Sequence, residues 1–275
     1  MNSIYLIMNN LLGIYEKALP TNISWEERFK LAKNANFDFI ELSIDKNRLN
    51  KLDYSDEEIQ ELLSLTKKYN MPFQTMTLSA NRYYPIGDIE KREFGINLIK
   101  KAIVLANKLN VKVIQLTAYD VYGKESSEET KRLYKEGLLE ALKFNEDYKI
   151  ILAIEVLEDV PHFNTSEKLV KLIKEINSPY LKEYADNGNL IYNGYDPVKD
   201  LHDCKDEVVA IHIKDAIYHN EHNIEYGKGE VDFEKVFAYL KEINYKGYLV
   251  SECWDEDDFK PDLKYITEFI RRFMK

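Results

Sequence analysis

Eight short apolar runs rich in β-forming residues alternate with eight longer amphipathic ones, and nothing else in the chain narrows its fold as much. The β-like runs are residues 4–15, 37–44, 72–79, 111–119, 150–157, 181–186, 208–214 and 248–254. Between and after them, residues 24–34, 55–69, 90–109, 128–145, 166–176, 197–204, 233–243 and 261–273 carry apolar residues at helical spacing. Ser24 with Glu27, and Ser55 with Glu58, have the spacing of a capping box. Ser166 and Asp232 are further expected caps. Strands joined through helices run parallel, and eight such units close into a (β/α)8 TIM barrel of the α/β class. An open doubly wound sheet competes, but it usually carries a Gly-rich phosphate turn after its first strand. Here that turn reads Gly13-Ile14-Tyr15-Glu16-Lys17. No linker or low-complexity tract interrupts the pattern, so residues 1–275 read as one domain.

Composition excludes several functions. The 38 Lys+Arg against 48 Asp+Glu give a net charge of −10, which repels phosphate backbones, so no nucleic-acid partner is expected. No apolar run reaches the ~18 residues of a membrane span. Two cysteines, Cys204 and Cys253, cannot build a disulfide framework or a cysteine metal cluster. The start, residues 1–8, lacks a basic n-region and a small-residue cleavage site, so no signal peptide is read and a cytoplasmic location is expected.

In a barrel of this type, reactive groups stand at the carboxyl ends of the strands. The polar residues ending the runs are Glu41 and Ser43, Thr77 and Ser79, Gln115 and Thr117, Glu155, Asp186, His212 and Lys214, and Glu252. Strand alternation sorts them. Ile151, Ala153 and Glu155 share a face, as do Val208, Ala210 and His212, and Tyr248, Val250 and Glu252. The opposite face, with Val209, Ile211, Ile213 and Leu249, is apolar and suited to covering helices. Four consecutive strands thus aim Glu155, Asp186, His212 and Glu252 at one region. Three converging carboxylates are costly unless a cation joins them. Three oxygen donors and one imidazole suit one divalent ion, such as Mn²⁺, Zn²⁺, Mg²⁺ or Co²⁺. Cys253 follows Glu252 and therefore turns away from that region.

Several stretches resemble a known family. They are Leu12-Gly13-Ile14-Tyr15-Glu16-Lys17-Ala18-Leu19-Pro20, Phe37-Asp38-Phe39-Ile40-Glu41-Leu42-Ser43, Ala153-Ile154-Glu155, Asp186-Asn187-Gly188-Asn189, Ala210-Ile211-His212-Ile213-Lys214-Asp215 and Gly227-Lys228-Gly229-Glu230. In these the chain resembles the sugar-phosphate isomerase/epimerase group with a xylose-isomerase-like barrel, and within it the L-ribulose-5-phosphate 3-epimerases of L-ascorbate catabolism. The family's usual Ser-Ala-His-Arg after the third run reads Ser79-Ala80-Asn81-Arg82 here.

The resemblance implies that Glu155, Asp186, His212 and Glu252 hold a metal ion. It also implies that Glu155 and Glu252 exchange the C3 proton between L-ribulose 5-phosphate and L-xylulose 5-phosphate through a metal-stabilised enediolate. Inversion needs a proton removed from one face and returned to the other, so two carboxylates should flank the carbon. The substrate's phosphate needs donors; Lys17, Ser79, Arg82, Lys214 and the backbone of Gly227-Lys228-Gly229 are the candidates. Glu158 and Asn164 are expected at sugar hydroxyls, and Tyr15 and Trp254 along the pocket wall. A homo-oligomer is an open possibility. Rival readings are an aldose–ketose or hexulose-6-phosphate isomerase, an apurinic-endonuclease-like phosphodiesterase, and a non-catalytic sugar-phosphate sensor. The net charge argues against the phosphodiesterase, and the presence of both glutamates against the sensor.

Overall fold

The computed structural model describes residues 7–160, 162–220 and 223–275. In chain order these form β1 (Leu12–Tyr15), α1 (Trp25–Asn34), β2 (Phe39–Ser43), α2 (Asp56–Tyr69), β3 (Phe73–Thr77), α3 (Arg92–Leu109), β4 (Val113–Thr117) and α4 (Glu128–Phe144). There follow β5 (Ile151–Glu155), α5 (Ser166–Ile176), β6 (Leu181–Asp186), α6 (Asn187–Tyr192), α7 (Pro197–Cys204), β7 (Val208–Ile213), α8 (Phe233–Glu242), β8 (Tyr248–Ser251) and α9 (Leu263–Met274). The eight strands pair in parallel in sequence order, and β8 closes onto β1. Among the described residues no helix is long and apolar enough to cross a membrane.

Local chemistry sets the helix starts. Ser24 and Ser55 accept from the amides of Glu27 and Glu58, whose side chains reach back, so both expected capping boxes form. Each such cap is worth ~1 kcal/mol. Asp232 caps α8 as expected. At α5 the cap is Thr165 and not Ser166: Ser166 is already helical, and its amide faces the Asp200 carboxylate at 3.3 Å. α6 was not read from the sequence; Asp186 caps it directly at the end of β6.

Two apolar layers hold the barrel. The outer one packs strand faces against helices and contains Ile211, Ile213, Leu249 and Cys253. The inner one fills the barrel with Tyr15, Phe39, Val113, Ala153, Tyr184, Ala210 and Val250. A Cβ on Gly13 would lie 2.3 Å from the Phe39 ring, so β1 needs a glycine where that ring fills the interior.

The expected alternation fails at the start of β7. Glu183 pairs with Val208 and Tyr184 with Ala210, leaving Val209 as an extra residue. This bulge puts Val208 against the outer layer and Val209 against the inner one, opposite to the expectation. Beyond it, Ala210 and His212 regain the inward phase. The first run is also shorter than expected. Pairing begins at Leu12, opposite Leu249, residues 7–11 lie outside the strand, and residues 1–6 lie outside the described residues.

One buried acid serves neither layer. Glu183 on β6 is fully buried, and neither carboxylate oxygen has a hydrogen-bond partner among the described residues. Burial pushes its pKa from 4.5 up to about 8. Between those values the folded chain holds a proton that the unfolded chain has lost, so raising the pH costs stability. Thermal melts of Glu183→Gln should therefore lose less Tm between pH 6 and pH 8.5 than the parent protein. Parallel losses would show that Glu183 ionises in the folded state without strain.

Candidate metal centre and cavity

The strand ends deliver the four expected ligands to one point. Glu155, Asp186, His212 and Glu252 are all buried, and one donor atom from each lies within 4.8 Å of the others. His212 Nδ1 stands 2.6 Å from Glu155 Oε1, 3.6 Å from Asp186 Oδ2 and 3.7 Å from Glu252 Oε2. Asp186 Oδ2 is buried and faces the Lys214 ammonium at 3.1 Å. Such a set of hard oxygens and one imidazole could hold a divalent ion. Without a cation the cluster is frustrated. Burial raises the pKa of Glu155, with Glu252 and Asp186 adding to the rise. Burial opposes charge on His212, yet Glu252, Glu41 and Glu155 lift its pKa well above 6.5.

Glu41 is the residue that sequence reasoning passed over. In sequence it is one more acid at a strand end, with nothing to mark a role. It is fully buried at the end of β2, with Oε1 2.7 Å from His212 Nε2 and Oε2 accepting from the Tyr184 hydroxyl at 2.5 Å. A carboxylate only accepts, so the Nε2 proton points to Glu41; with a divalent ion bound, that tautomer would leave the Nδ1 lone pair to ligate it. The Tyr184 ring lies 4.5 Å from the imidazole and fixes its tilt. Its signal was an acid between apolar neighbours, sharing the inward phase of Phe39. Glu41→Gln, which can offer Nε2 only a neutral carbonyl, should weaken Mn²⁺ binding by about 10- to 100-fold while the protein still folds. Unchanged affinity in a chelator competition would remove Glu41 from the site.

Above the ligands opens a cavity of about 440 Å³, lined among others by Tyr15, Lys17, Ser79, Arg82, Glu158, Lys214 and Trp254. That volume falls within the range of small-molecule pockets. Gln115 also faces it and donates from Nε2 to Glu155 Oε2 at 2.6 Å. Lys17 pairs with Asp45 at 3.1 Å. Its loop is anchored by the buried Glu16, which accepts from Lys51, Arg28 and the Ser43 amide. Lys46, missed in the sequence, lines the same wall with its ammonium 5.2 Å from the Tyr83 ring.

Three expectations change. Asn164 is not among the residues lining the cavity; its amide donates to the Tyr195 hydroxyl and its Oδ1 accepts from Lys168. The Gly227-Lys228-Gly229 backbone is not open to phosphate. The amides of Gly227 and Gly229 both donate to Asp215 Oδ2 at 2.8 Å, so a carboxylate of the chain itself fills that nest. Lys214 is not a free phosphate donor: it is buried, with Nζ 2.9 Å from Glu252 Oε2 and 3.1 Å from Asp186 Oδ2. Burial opposes its charge, but Asp186, Glu252 and Glu158 raise its pKa above the ordinary lysine value. The Asn81 departure falls outside the cavity lining, since its Oδ1 accepts from the amide and hydroxyl of Thr117.

Comparison with known proteins agrees with this fold. A sequence profile described as the xylose isomerase-like TIM barrel matches residues 29–273. The chain is 37% identical over 249 residues to L-ribulose-5-phosphate 3-epimerase UlaE of Escherichia coli, covering 89% of this chain and 87% of that protein. The same figures hold for the protein of that name from Escherichia fergusonii. Solved structures share the fold at lower identity. An L-ribulose 3-epimerase has a TM-score of 0.80 at 15% identity, covering 96% of this chain and 92% of that one. A D-allulose 3-epimerase from Methylomonas sp. has 0.80 at 18%, covering 97% and 99%. The chain belongs to the xylose isomerase-like TIM barrel family, alongside the L-ribulose-5-phosphate 3-epimerases it resembles.

Proposed function

We propose that this protein is a 3-epimerase that interconverts L-ribulose 5-phosphate and L-xylulose 5-phosphate. The observation that carries the reading is the pair Glu155, closing β5, and Glu252, just after β8, which line one cavity and both face His212 Nδ1. A proton taken from one face of C3 by one glutamate leaves the other able to supply a proton to the opposite face. Four buried carboxylates, Glu41 included, stand against the Lys214 ammonium and a dication. For the exchange to balance, one glutamate must hold a proton to give while the other accepts one. Gln115 holds Glu155 by one oxygen and fixes its rotamer.

The ion is of the Mn²⁺, Zn²⁺, Mg²⁺ or Co²⁺ kind, and when bound it supplies a Lewis acid for the charge that develops on the substrate oxygens. Phosphate is received at the outer cavity by Arg82, with Ser79 and Lys17. Arg82 suits this best: its buried Nε has no acceptor among the described residues, whereas Lys17 already faces Asp45. Glu158 lines the same cavity 3.7 Å from Lys214 Nζ and would take a sugar hydroxyl. A cytoplasmic place in L-ascorbate catabolism and assembly as a homo-oligomer complete the proposal.

The test is a parallel assay, in Mn²⁺, of L-ribulose 5-phosphate and unphosphorylated L-ribulose. Placed cations in an acidic protein should favour the phosphate ester by about tenfold or more in kcat/KM. Equal or preferred turnover of the free sugar would replace this reading with that of a free-ketose epimerase.

A further inference from the structure

Lys214 lies where the metal reading leaves least room for a cation, and the chain is built to put it there. Its backbone is clamped on both sides by Asn187, whose Nδ2 donates to the Lys214 carbonyl at 2.7 Å and whose Oδ1 accepts from the Lys214 amide at 3.3 Å. Gly188 supplies the space for its stem: a Cβ there would lie 2.4 Å from Lys214 Cγ. Asp186, one residue before Asn187, turns its Oδ1 to the Asn189 amide and leaves Oδ2 for the cluster. The Asp186-Asn187-Gly188 and His212-Ile213-Lys214 segments therefore form one device, each contributing a metal-ligand candidate and together a seated lysine. The ammonium reaches Glu252 Oε2 and Asp186 Oδ2, both of which also face His212 Nδ1, and it stands 5.3 Å from the Trp254 ring on the cavity wall.

We propose that Lys214 is a second, built-in cation of the reaction site. It shares Asp186 and Glu252 with the divalent ion and donates to the substrate oxygen held beside that ion. Two cations on the same two carboxylates repel each other, so the lysine weakens ion binding. Its compensation is a donor fixed at the point where negative charge develops during proton transfer. It also neutralises the carboxylates when no ion is present. The kinetic half of this inference rests on the proposed epimerase reading; the ion-binding half does not.

The experiment uses the full chain with Lys214→Met, which keeps the stem and removes the charge, and Lys214→Gln as a second variant. Mn²⁺ alone is titrated against a chromophoric chelator, and kcat and KM are measured separately. The expected result is Mn²⁺ binding about tenfold tighter or more, with kcat lowered by about 100-fold and KM little changed. A chelator should lower the Tm of the variants more than that of the parent. Unchanged or weaker Mn²⁺ binding would overturn the proposal, as expected of a purely structural lysine. Unchanged binding with a raised KM for the phosphate ester would overturn it in favour of a phosphate anchor. Failure of both variants to fold even in excess Mn²⁺ would also overturn it, because the ion should replace the lost charge. If the parent turns over neither sugar, the Mn²⁺ titration still decides the ion-binding half.

Discussion

Glu155→Gln and Glu252→Gln should each abolish interconversion, with kcat falling about 10³-fold or more, yet leave different remnants of proton chemistry. With two bases flanking one carbon, loss of one leaves the other able to take and return a proton on its own face. Each variant should then exchange the C3 proton of only one epimer with solvent, and the two variants should choose opposite epimers. Both glutamates are buried at the cluster, so ion content must be matched before rates are compared. Undiminished turnover in either variant would contradict the two-base account. Equal exchange of both epimers in a single variant would do the same, since it would require a single mobile base.

Removal of the divalent ion should have the second large effect. A chelator should take activity below detection, and added Mn²⁺ or Co²⁺ should restore it. Stability should fall with it, because Asp186, Glu155 and Glu252 are left around His212 with only Lys214 in compensation. An ion held at 100 times its Kd contributes ~2.7 kcal/mol, which for a chain of 275 residues corresponds to a Tm change of ~5 °C. Full activity in chelator would require the four residues to work as an ordinary acid/base cluster.

The metal-ligand candidates were legible because their signal is local. A charged or imidazole side chain at the carboxyl end of an apolar strand interrupts an alternation that residues two and four positions earlier have already set. Ala153 before Glu155 and Val250 before Glu252 fix the phase by themselves. Glu41 has the same local signal, but its role depends on His212, 171 positions away, and on Tyr184. Lys214 likewise looked like any lysine after a strand until Asn187 and Gly188 closed around it. Val209 was misplaced because a bulge arises between partners and leaves no mark on one strand alone. The Gly227-Lys228-Gly229 turn is ambiguous for a related reason: a nest for an anion looks the same in sequence whether the anion is a phosphate or the chain's own Asp215.

The most direct test of the central claim is the position of solvent deuterium after incubation of L-ribulose 5-phosphate with the Mn²⁺-loaded protein in D₂O. The account predicts deuterium at C3, in both recovered L-ribulose 5-phosphate and newly formed L-xylulose 5-phosphate, and none at C1. Deuterium at C1 with an aldose product would contradict it and make the protein an aldose–ketose isomerase.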